Sequence, residues 1–572
     1  MNLFAAFNSD GYKLLHGQMY AEGSEVVYSN LTPRSDKIHR RSCTKYYDGR
    51  LVLVGLQGAF LEIVESWDKF FKMDLGIAIA RFKLLCDNYV GKDVVTVEQL
   101  TALHKLGYLP LEVKTLDEGS KVPMGIPVLT VRNTVKHAYW LVNFLETTIS
   151  DLTWKTSTCA TIAAEYKAML TDFAIRTGTP VESVLFQAHD FSARGMSGPE
   201  DAARSGLGHI SSFLGTDTLG AVIYAQDYYG AGDFVAATVP ATEHAVSTSN
   251  ILRIEEELAN CEYEFKNKEQ SDIQLAMEAN GEDLRLIAEI MFMYELMLKF
   301  PTGILSYVAD SFDFYGLISR GLPYMKDVIM RRQSNGITPG RLVIRPDSGD
   351  PVEVLCGLRK VPEGATLSDM DSDEYDVIEE GGKLYKFTMT HDSYEGYADG
   401  YFLDEEVSVV EQKGAVEVLM DIFGYTETST GHKLMDGHIG LIYGDSITTT
   451  RCLTILQRLF DKNFASGNTV FGIGSFTYQC VTRDTFGFAV KATYTEVNAK
   501  AIPIFKDPKT DSNKKSAKGL LFVGKDLKGD YYLKDNVSCD QEESSEFNEL
   551  TVRFKDGIFM NLTTLDVIRA KL

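Results

Sequence analysis

No Cys-x-x-Cys pair occurs in this chain, and its eight cysteines (Cys43, Cys86, Cys159, Cys261, Cys356, Cys452, Cys480 and Cys539) are widely scattered. That spacing argues against zinc and against a disulfide framework, and it suits free thiols in a reducing compartment. No stretch approaches the roughly 20 apolar residues that span a bilayer. The N-terminus, Met1 to Asp10, lacks the basic region and the long apolar core of a secretory signal. A cytoplasmic protein is expected. Positive charge is scarce: 57 Lys and Arg stand against 80 Asp and Glu, a formal net charge of -23. Phosphate polymers would be repelled overall, which excludes a general binder of nucleic acid or anionic membrane. GxSxG, HExxH and Walker A motifs are missing, so serine hydrolase, zinc protease and P-loop ATPase readings have no local support. No repeat at a fixed period is visible.

What is present fits a globular protein of 572 residues with 44% hydrophobic and 24% charged content, long enough for two or more domains. The most informative stretch is Arg341-Leu-Val-Ile-Arg345-Pro-Asp347-Ser-Gly349-Asp350-Pro351. Leu342 to Ile344 read as a strand buried on both faces. At its end the side chains change to Arg, Asp and Ser around a Gly and two prolines. A guanidinium grips phosphate oxygens in a two-pronged way, and a carboxylate holds ribose hydroxyls or hydrated Mg²⁺.

The pattern recurs. Ile304 to Ala309 runs into Asp310-Ser-Phe-Asp313, Ile439 to Tyr443 into Gly444-Asp445-Ser446, and Thr469 to Phe471 into Gly472-Ile-Gly474-Ser475. Short apolar segments ending in Gly, Asp or Ser, most followed by helical sequence, are the grammar of successive βα units. Ligands collect outside the carboxyl ends of such strands. Four ends of this kind call for an anionic, hydroxyl-bearing ligand: a sugar phosphate with a metal ion.

Organisation follows from the same signals. Residues from about 36 to 180 read as mixed α/β, with a helix from Ser157, capped by hydroxyls, to Gly178. Strand-then-helix alternation dominates 181–490. After that β-rich sequence returns, ending in a hairpin at Asp556-Gly557. The domains expected are 1–180 with 491–572, and 181–490. Two surface insertions are expected, at about 253–280 (polar, Glu-rich, helical) and 361–430 (acidic). In the latter, Asp369-x-Asp371-x-Asp373 has the start of a calcium loop without its Gly or its final Glu, so a solvated surface module is expected. Arg483 to Gly519 is by contrast a basic stretch, a solvated face or a clamp for a charged leaving group such as pyrophosphate.

Three further clusters carry chemistry. His189-Asp190-Phe191-Ser-Ala-Arg194-Gly195 offers a ring for stacking and a guanidinium for an anion. Gly215-Thr-Asp217-Thr places a carboxylate where it caps a helix or accepts from a ligand amide. Glu243-His244 follows Val239-Pro240 on a short loop.

Together these motifs resemble the nicotinamide phosphoribosyltransferases of the type II phosphoribosyltransferase family. The match runs through Asp10-Gly-Tyr12-Lys13, His189-Asp-Phe-x-x-Arg-Gly, Gly215-Thr-Asp-Thr, Glu243-His244, Arg345-Pro-Asp-Ser-Gly, Gly444-Asp445, Thr482-Arg483-Asp484 and Phe505-Lys506-Asp507-Pro508. The resemblance implies an irregular TIM-like α/β barrel joined to a second α/β domain built from both chain ends. It also implies a homodimer with shared active sites. The reaction implied is a pentosyl transfer from phosphoribosyl pyrophosphate to nicotinamide in NAD salvage. Mg²⁺ would arrive with the diphosphate, and ATP would phosphorylate His244 transiently.

By the same resemblance Phe191 and the Tyr12 contributed by a second subunit sandwich the nicotinamide ring. Asp217 binds its carboxamide, with Asp10, Arg194 and Ser306 on the same side. Asp310, Arg345, Asp347, Gly444, Asp445, Gly474 and Ser475 hold the ribose and 5-phosphate. Arg34, Arg483, Lys491, Lys506 and Lys514 face the pyrophosphate. His244, Asp310 and Asp347 are the catalytic residues implied, and no resident metal ligand is. Gly472-Ile-Gly474-Ser475-Phe476 has fewer glycines than the nicotinamide pattern, and Ser192-Ala193 replaces its usual pair. Two alternatives stay open: a nicotinate phosphoribosyltransferase, which a carboxylate at 217 would disfavour, and a non-catalytic nucleotide-binding signalling protein.

Overall fold

The computed structural model describes residues 4–232, 234–370, 374–391, 398–444, 446–506, 517–544 and 546–572. The chain forms two compact units. One comprises residues 1–166, 192–236 and 478–572; the other comprises 167–191 and 237–477. The sequence placed the junctions near 180 and 490. The chain instead crosses four times, the first within the helix Glu146–Thr177.

In the first unit both chain ends meet in one sheet. Ser24–Thr32 lies antiparallel between Ala489–Val497 and Leu129–Asn133, and Leu111–Thr115 joins the latter to Thr551–Lys555. The expected hairpin at Asp556-Gly557 is present, with φ of 49° and 86°, the paired positive values of a two-residue turn. Against the sheet packs the helix Leu56–Phe71, whose Leu56, Phe60, Ile63, Trp67 and Phe70 recur every three to four residues and are all buried. Burial of each such side chain contributes about 1.5–3 kcal/mol.

The helix Glu146–Thr177 starts eleven residues before the expected cap at Ser157. The hydroxyls there are not caps. Ser157 Oγ donates to Val54 O at 2.7 Å and accepts from Val54 N–H at 3.1 Å, and Thr161 Oγ1 accepts from Val52 N–H at 2.9 Å. They tie a buried strand to the helix side, where its backbone would otherwise lack partners. Gly178, at φ +67°, does end the helix.

The second unit carries the parallel strands. Ala188–Asp190, Val470–Ile473, Ile439–Tyr443, Arg341–Arg345 and Ile304–Val308 lie side by side in that order, each parallel to the next. Leu342 and Ile344 are buried while Val343 is partly exposed. Helices follow at Leu322–Met330, Pro351–Cys356 and Thr449–Asp461. Behind them the apolar helix Leu284–Lys299 buries ten of its sixteen residues.

Within residues 253–280 stand the end of helix His244–Ala259 and helix Lys268–Ala279, and the segment is not wholly solvated. Lys268–Ala279 buries Gln270, Gln274 and Met277, and Gln270 donates to Tyr263 Oη at 2.7 Å and to Met291 O at 3.3 Å. The acidic segment forms a three-stranded antiparallel sheet, Val377–Glu380, Lys383–His391 and Ala398–Val407, with small cores of its own. Its first turn is Gly381-Gly382, at φ 59° and 80°. Asp369 is engaged in a local cap, accepting from Thr366 N–H at 2.9 Å and Thr366 Oγ1 at 2.6 Å, while Asp371 and Asp373 lie outside the described residues. The insertion as drawn to 430 is too long. Helix Ala415–Phe423 belongs to the core of the unit, with Ala415, Val416 and Leu419 fully buried. Its apolar sequence was absorbed into an acidic average. Among the described residues, no helix is long and apolar enough to cross a membrane.

Candidate active site

Register decides which strand ends face each other. Val308 pairs with Arg345, so Asp310 and Asp347 each follow two residues past paired positions. Tyr443 pairs with Phe471, which sets Gly444 level with Gly472; Ile473 pairs with Asp190, the residue before Phe191.

Asp310 is the hub. Its carboxylate, 4% exposed, meets His244 Nε2 through Oδ1 at 3.0 Å and accepts from Asp347 N–H through Oδ2 at 3.0 Å. Burial pushes this carboxyl up. Hydrogen bonds from Ser348 and Asp347 N–H, and the His244 imidazole, outweigh that and hold it below the ordinary carboxylate range. His244 begins the helix His244–Ala259 and is half exposed. Its place comes from Pro240 to Thr242, which extend the sheet. Ser306 N–H donates to Pro240 O at 2.9 Å and Thr242 N–H to Ser306 O at 3.0 Å. Thr242 Oγ1 also accepts from Val308 N–H at 2.8 Å, and its carbonyl accepts from Arg345 Nη2 at 2.9 Å. Thr242 thus orients both His244 and Arg345.

Two buried groups at these strand ends, Arg345 Nε and Ser311 Oγ, have no hydrogen-bond partner among the described residues. Buried polar groups are rarely left so, and both atoms are free to meet a polar ligand or water. The turn that presents Asp347 is fixed by Gly349 at φ +90°, whose carbonyl accepts from Tyr443 Oη at 2.8 Å. Asp350 is spent as a helix cap on Val352 and Glu353 N–H.

Phe191 N–H donates to Ile473 O at 2.9 Å, and its ring sits 4.9 Å from that of His189. The ring lies on two glycines. A Cβ on Gly472 would come within 2.5 Å of Phe191 Cδ2 and 2.7 Å of Gly444 Cα; one on Gly444 would stand 3.0 Å from Asp347 Oδ1. Around Gly474 there is open space, and Ser475 opens the short helix Ser475–Tyr478.

The structure therefore brings Phe191, His244, Asp310, Arg345, Asp347, Gly444, Gly474 and Ser475 into one unit, on the ends of adjacent strands and the segment beside them, with Ser306 in the same unit but mid-strand in Ile304–Val308. The remaining candidates that the structure describes belong to the other unit. There Asp10 Oδ2 accepts from Thr147 Oγ1 at 2.6 Å, and Tyr12 is 63% exposed beside Lys13, which pairs with Glu146 at 2.7 Å. Lys491 lies 3.7 Å from the same Glu146. Arg34 Nε donates to Gly487 O at 2.9 Å, and Arg483 pairs loosely with Asp484 at 3.6 Å. Arg194, Asp217 and Lys506 are exposed. The cap position before helix Leu219–Tyr229 is Thr218, so Asp217 is not the cap residue. Asp445 and Lys514 lie outside the described residues.

A model of the nicotinate phosphoribosyltransferase (NAPRTase) family matches residues 186–557, which takes in every strand end described above. The chain belongs to the NAPRTase family. It is 41% identical over 567 residues to a nicotinamide phosphoribosyltransferase of Acinetobacter baylyi, covering 98% of this chain and 96% of that one. A nicotinamide phosphoribosyltransferase of Mycoplasma pneumoniae is 27% identical over 520 residues, 89% of this chain and 93% of that one. Among solved structures, human nicotinic acid phosphoribosyltransferase superposes with a TM-score of 0.52 at 15% identity, over 98% of this chain and 92% of that one. At that identity the likeness speaks for the fold, an α/β architecture of the type II phosphoribosyltransferase kind. In this NAPRTase-family chain, sequence reading assigned no role to Thr242, nor to Ser311, Ser348 and Gly472, although the last three stand in the strand-end motifs it singled out. A Pro before a sheet-edge residue and a Gly level with Gly444 were the available signals.

Proposed function

We propose that the chain is a nicotinamide phosphoribosyltransferase of NAD salvage. The observation that carries this is the near-full-length likeness to the Acinetobacter baylyi enzyme. The strand-end cluster supplies chemistry of the right kind: a half-buried guanidinium and hydroxyl for phosphate and ribose oxygens, beside two carboxylates for hydroxyls or for the Mg²⁺ that accompanies the diphosphate.

The pyridine nitrogen attacks C1 of phosphoribosyl pyrophosphate. As the N–C1 bond forms, the C1–O bond breaks and its electron pair leaves on the diphosphate. The ribose develops oxocarbenium character, so catalysis rests on positioning and electrostatics rather than on a protein nucleophile at the sugar. Stacking on Phe191 orients the ring nitrogen, and Asp217 accepts from the carboxamide NH₂. Asp10, Arg194 and Ser306 complete the base side. Arg34, Arg483, Lys491, Lys506 and Lys514 neutralise the departing diphosphate, as Asp445 with Gly474 and Ser475 hold the sugar phosphate.

His244 couples ATP to this step. With Nε2 engaged by Asp310, Nδ1 attacks the γ-phosphorus, the bond to the ADP oxygen breaks, and ADP departs. The phosphohistidine assists the transfer and does not perform it. Exposed Tyr12 acts in a second subunit's site, so the working form is a homodimer.

Turnover with nicotinamide and nicotinate, each with phosphoribosyl pyrophosphate and with or without ATP, tests the reading. Nicotinamide should be preferred and ATP should stimulate. Nicotinate turned over equally well would overturn the base assignment. Intact mass after ATP exposure should show a phosphoryl group that His244→Ala lacks, while ATP-independent transfer remains.

A further inference from the structure

In the first unit a cavity of about 230 Å³ lies between helix Leu56–Phe71, strand Leu111–Thr115 and the C-terminal hairpin and helix. Leu56, Phe60, Val113, Leu116 and Phe554 line it, each no more than 4% exposed, and the ring of Phe559 stands beside them. A cavity of about 150 Å³ with such walls already admits benzene. The floor therefore takes one aromatic ring with room for a small substituent.

The mouth decides which substituent. Asp117 is paired with Arg553 and, at 2.9 Å, with Lys571 Nζ. Its side chain is still 56% exposed, and a carboxylate has about four acceptor positions, of which these cations use two. Lys571 Nζ donates also to Glu118 O at 3.2 Å, which leaves one of its three hydrogens. Glu118 takes no part. Its oxygens are enclosed and accept from Gly55 N–H at 2.8 Å, Gln57 N–H at 2.6 Å and the Tyr229 hydroxyl at 3.1 Å. The mouth thus offers an ionised acceptor and a free donor side by side. A carboxamide matches both, donating N–H to Asp117 and accepting from Lys571. A carboxylate head would meet Asp117 as a like charge.

We propose that this cavity, lined only by residues of the first unit, is a binding site for a small neutral aromatic amide. It does not depend on the transferase reading. The test uses the full chain with methyl-labelled Val and Leu and benzamide as probe, with benzoate and toluene as controls. Benzamide should move the methyl signals of Val113, Leu116, Leu562 and Val567 saturably, and benzoate should bind at least about tenfold more weakly, the scale of one lost hydrogen bond and one repulsion. Leu562→Trp, a change at an exposed position on the mouth, should block the response while leaving the other methyl signals in place. Unmoved methyls at the solubility limit of benzamide, equal binding of benzoate, or an unchanged response in Leu562→Trp would each overturn the proposal.

Discussion

The candidate residues divide into two kinds. On the parallel strands Asp310 is 4% exposed, with both oxygens committed before any ligand arrives. In the other unit Tyr12 is 63% exposed, and Arg483 is 52% exposed with a loose partner at 3.6 Å. The first kind is positioned by backbone register and costs folding energy to desolvate. The second is left in water, where ordering costs nothing until a ligand binds. Damage to the first should therefore appear in chemistry and stability together, and damage to the second in binding alone.

The largest effect should come from Asp310→Ala. It removes the partner of His244 and the acceptor of Asp347 N–H, so the whole hub loses its geometry. Loss of one preorganised electrostatic contact typically costs about 10²–10³-fold in rate. kcat/KM for phosphoribosyl pyrophosphate should fall on that scale, and a change under about threefold would contradict the hub.

Next in size is a pH effect beneath the same strands. Glu289 is buried on the helix Leu284–Lys299, where its carboxyl accepts from Tyr307 Oη at 3.1 Å. Burial pushes it up to about 8 against that hydrogen bond, and Asp313, Asp283 and Asp310 add to the rise. Between the ordinary carboxylate range and pH 8 the unfolded chain has released a proton that the folded chain keeps, so this group makes stability fall as pH rises. Each unit of offset is worth about 1.4 kcal/mol, so Glu289→Gln should raise stability near pH 7 by on the order of 2 kcal/mol and flatten the slope between pH 5 and 8. Urea midpoints across that range measure it; an unchanged slope would mean Glu289 is ionised in the fold.

Gly472→Ala should cost about 1–2 kcal/mol, because its Cβ would meet both the Phe191 ring and the Gly444 backbone and one of them must shift. The displaced ring should raise KM for the base more than it lowers kcat. Gly444→Ala, with its nearest contact at 3.0 Å, should be milder in both.

Gly472 also marks where the sequence stops being legible. The strands and their βα alternation were readable because apolar runs ending in Asp, Gly and Ser are local signals. Residues such as Thr242, Gly472 and Ser311 act through register with a distant strand, which no local pattern encodes. The Ser157 cap failed for a related reason. A hydroxyl that bonds a neighbouring strand looks, in one dimension, like one that opens a helix. In 361–430 the composition averaged a surface sheet with the core helix Ala415–Phe423 and hid the boundary near 413.

Arg483→Gln should have the smallest effect and divides the two kinds of residue most cleanly. The side chain is half exposed and its pairing with Asp484 at 3.6 Å lies in solvent, so folding gains little from it. Stability should change by less than about 0.5 kcal/mol, as for surface substitutions generally. On the proposed assignment its charge matters only when the diphosphate is present. KM for phosphoribosyl pyrophosphate should therefore rise while kcat stays close to that of the unmutated chain. Because the interaction is solvent-exposed, the difference between variant and unmutated chain should shrink as ionic strength rises from about 0.05 to 0.5 M and the screening length contracts. Titrating salt at fixed Mg²⁺ and following both KM values gives the comparison. A variant that loses stability, or a KM difference that persists at high salt, would place Arg483 with the committed residues of the strand ends instead.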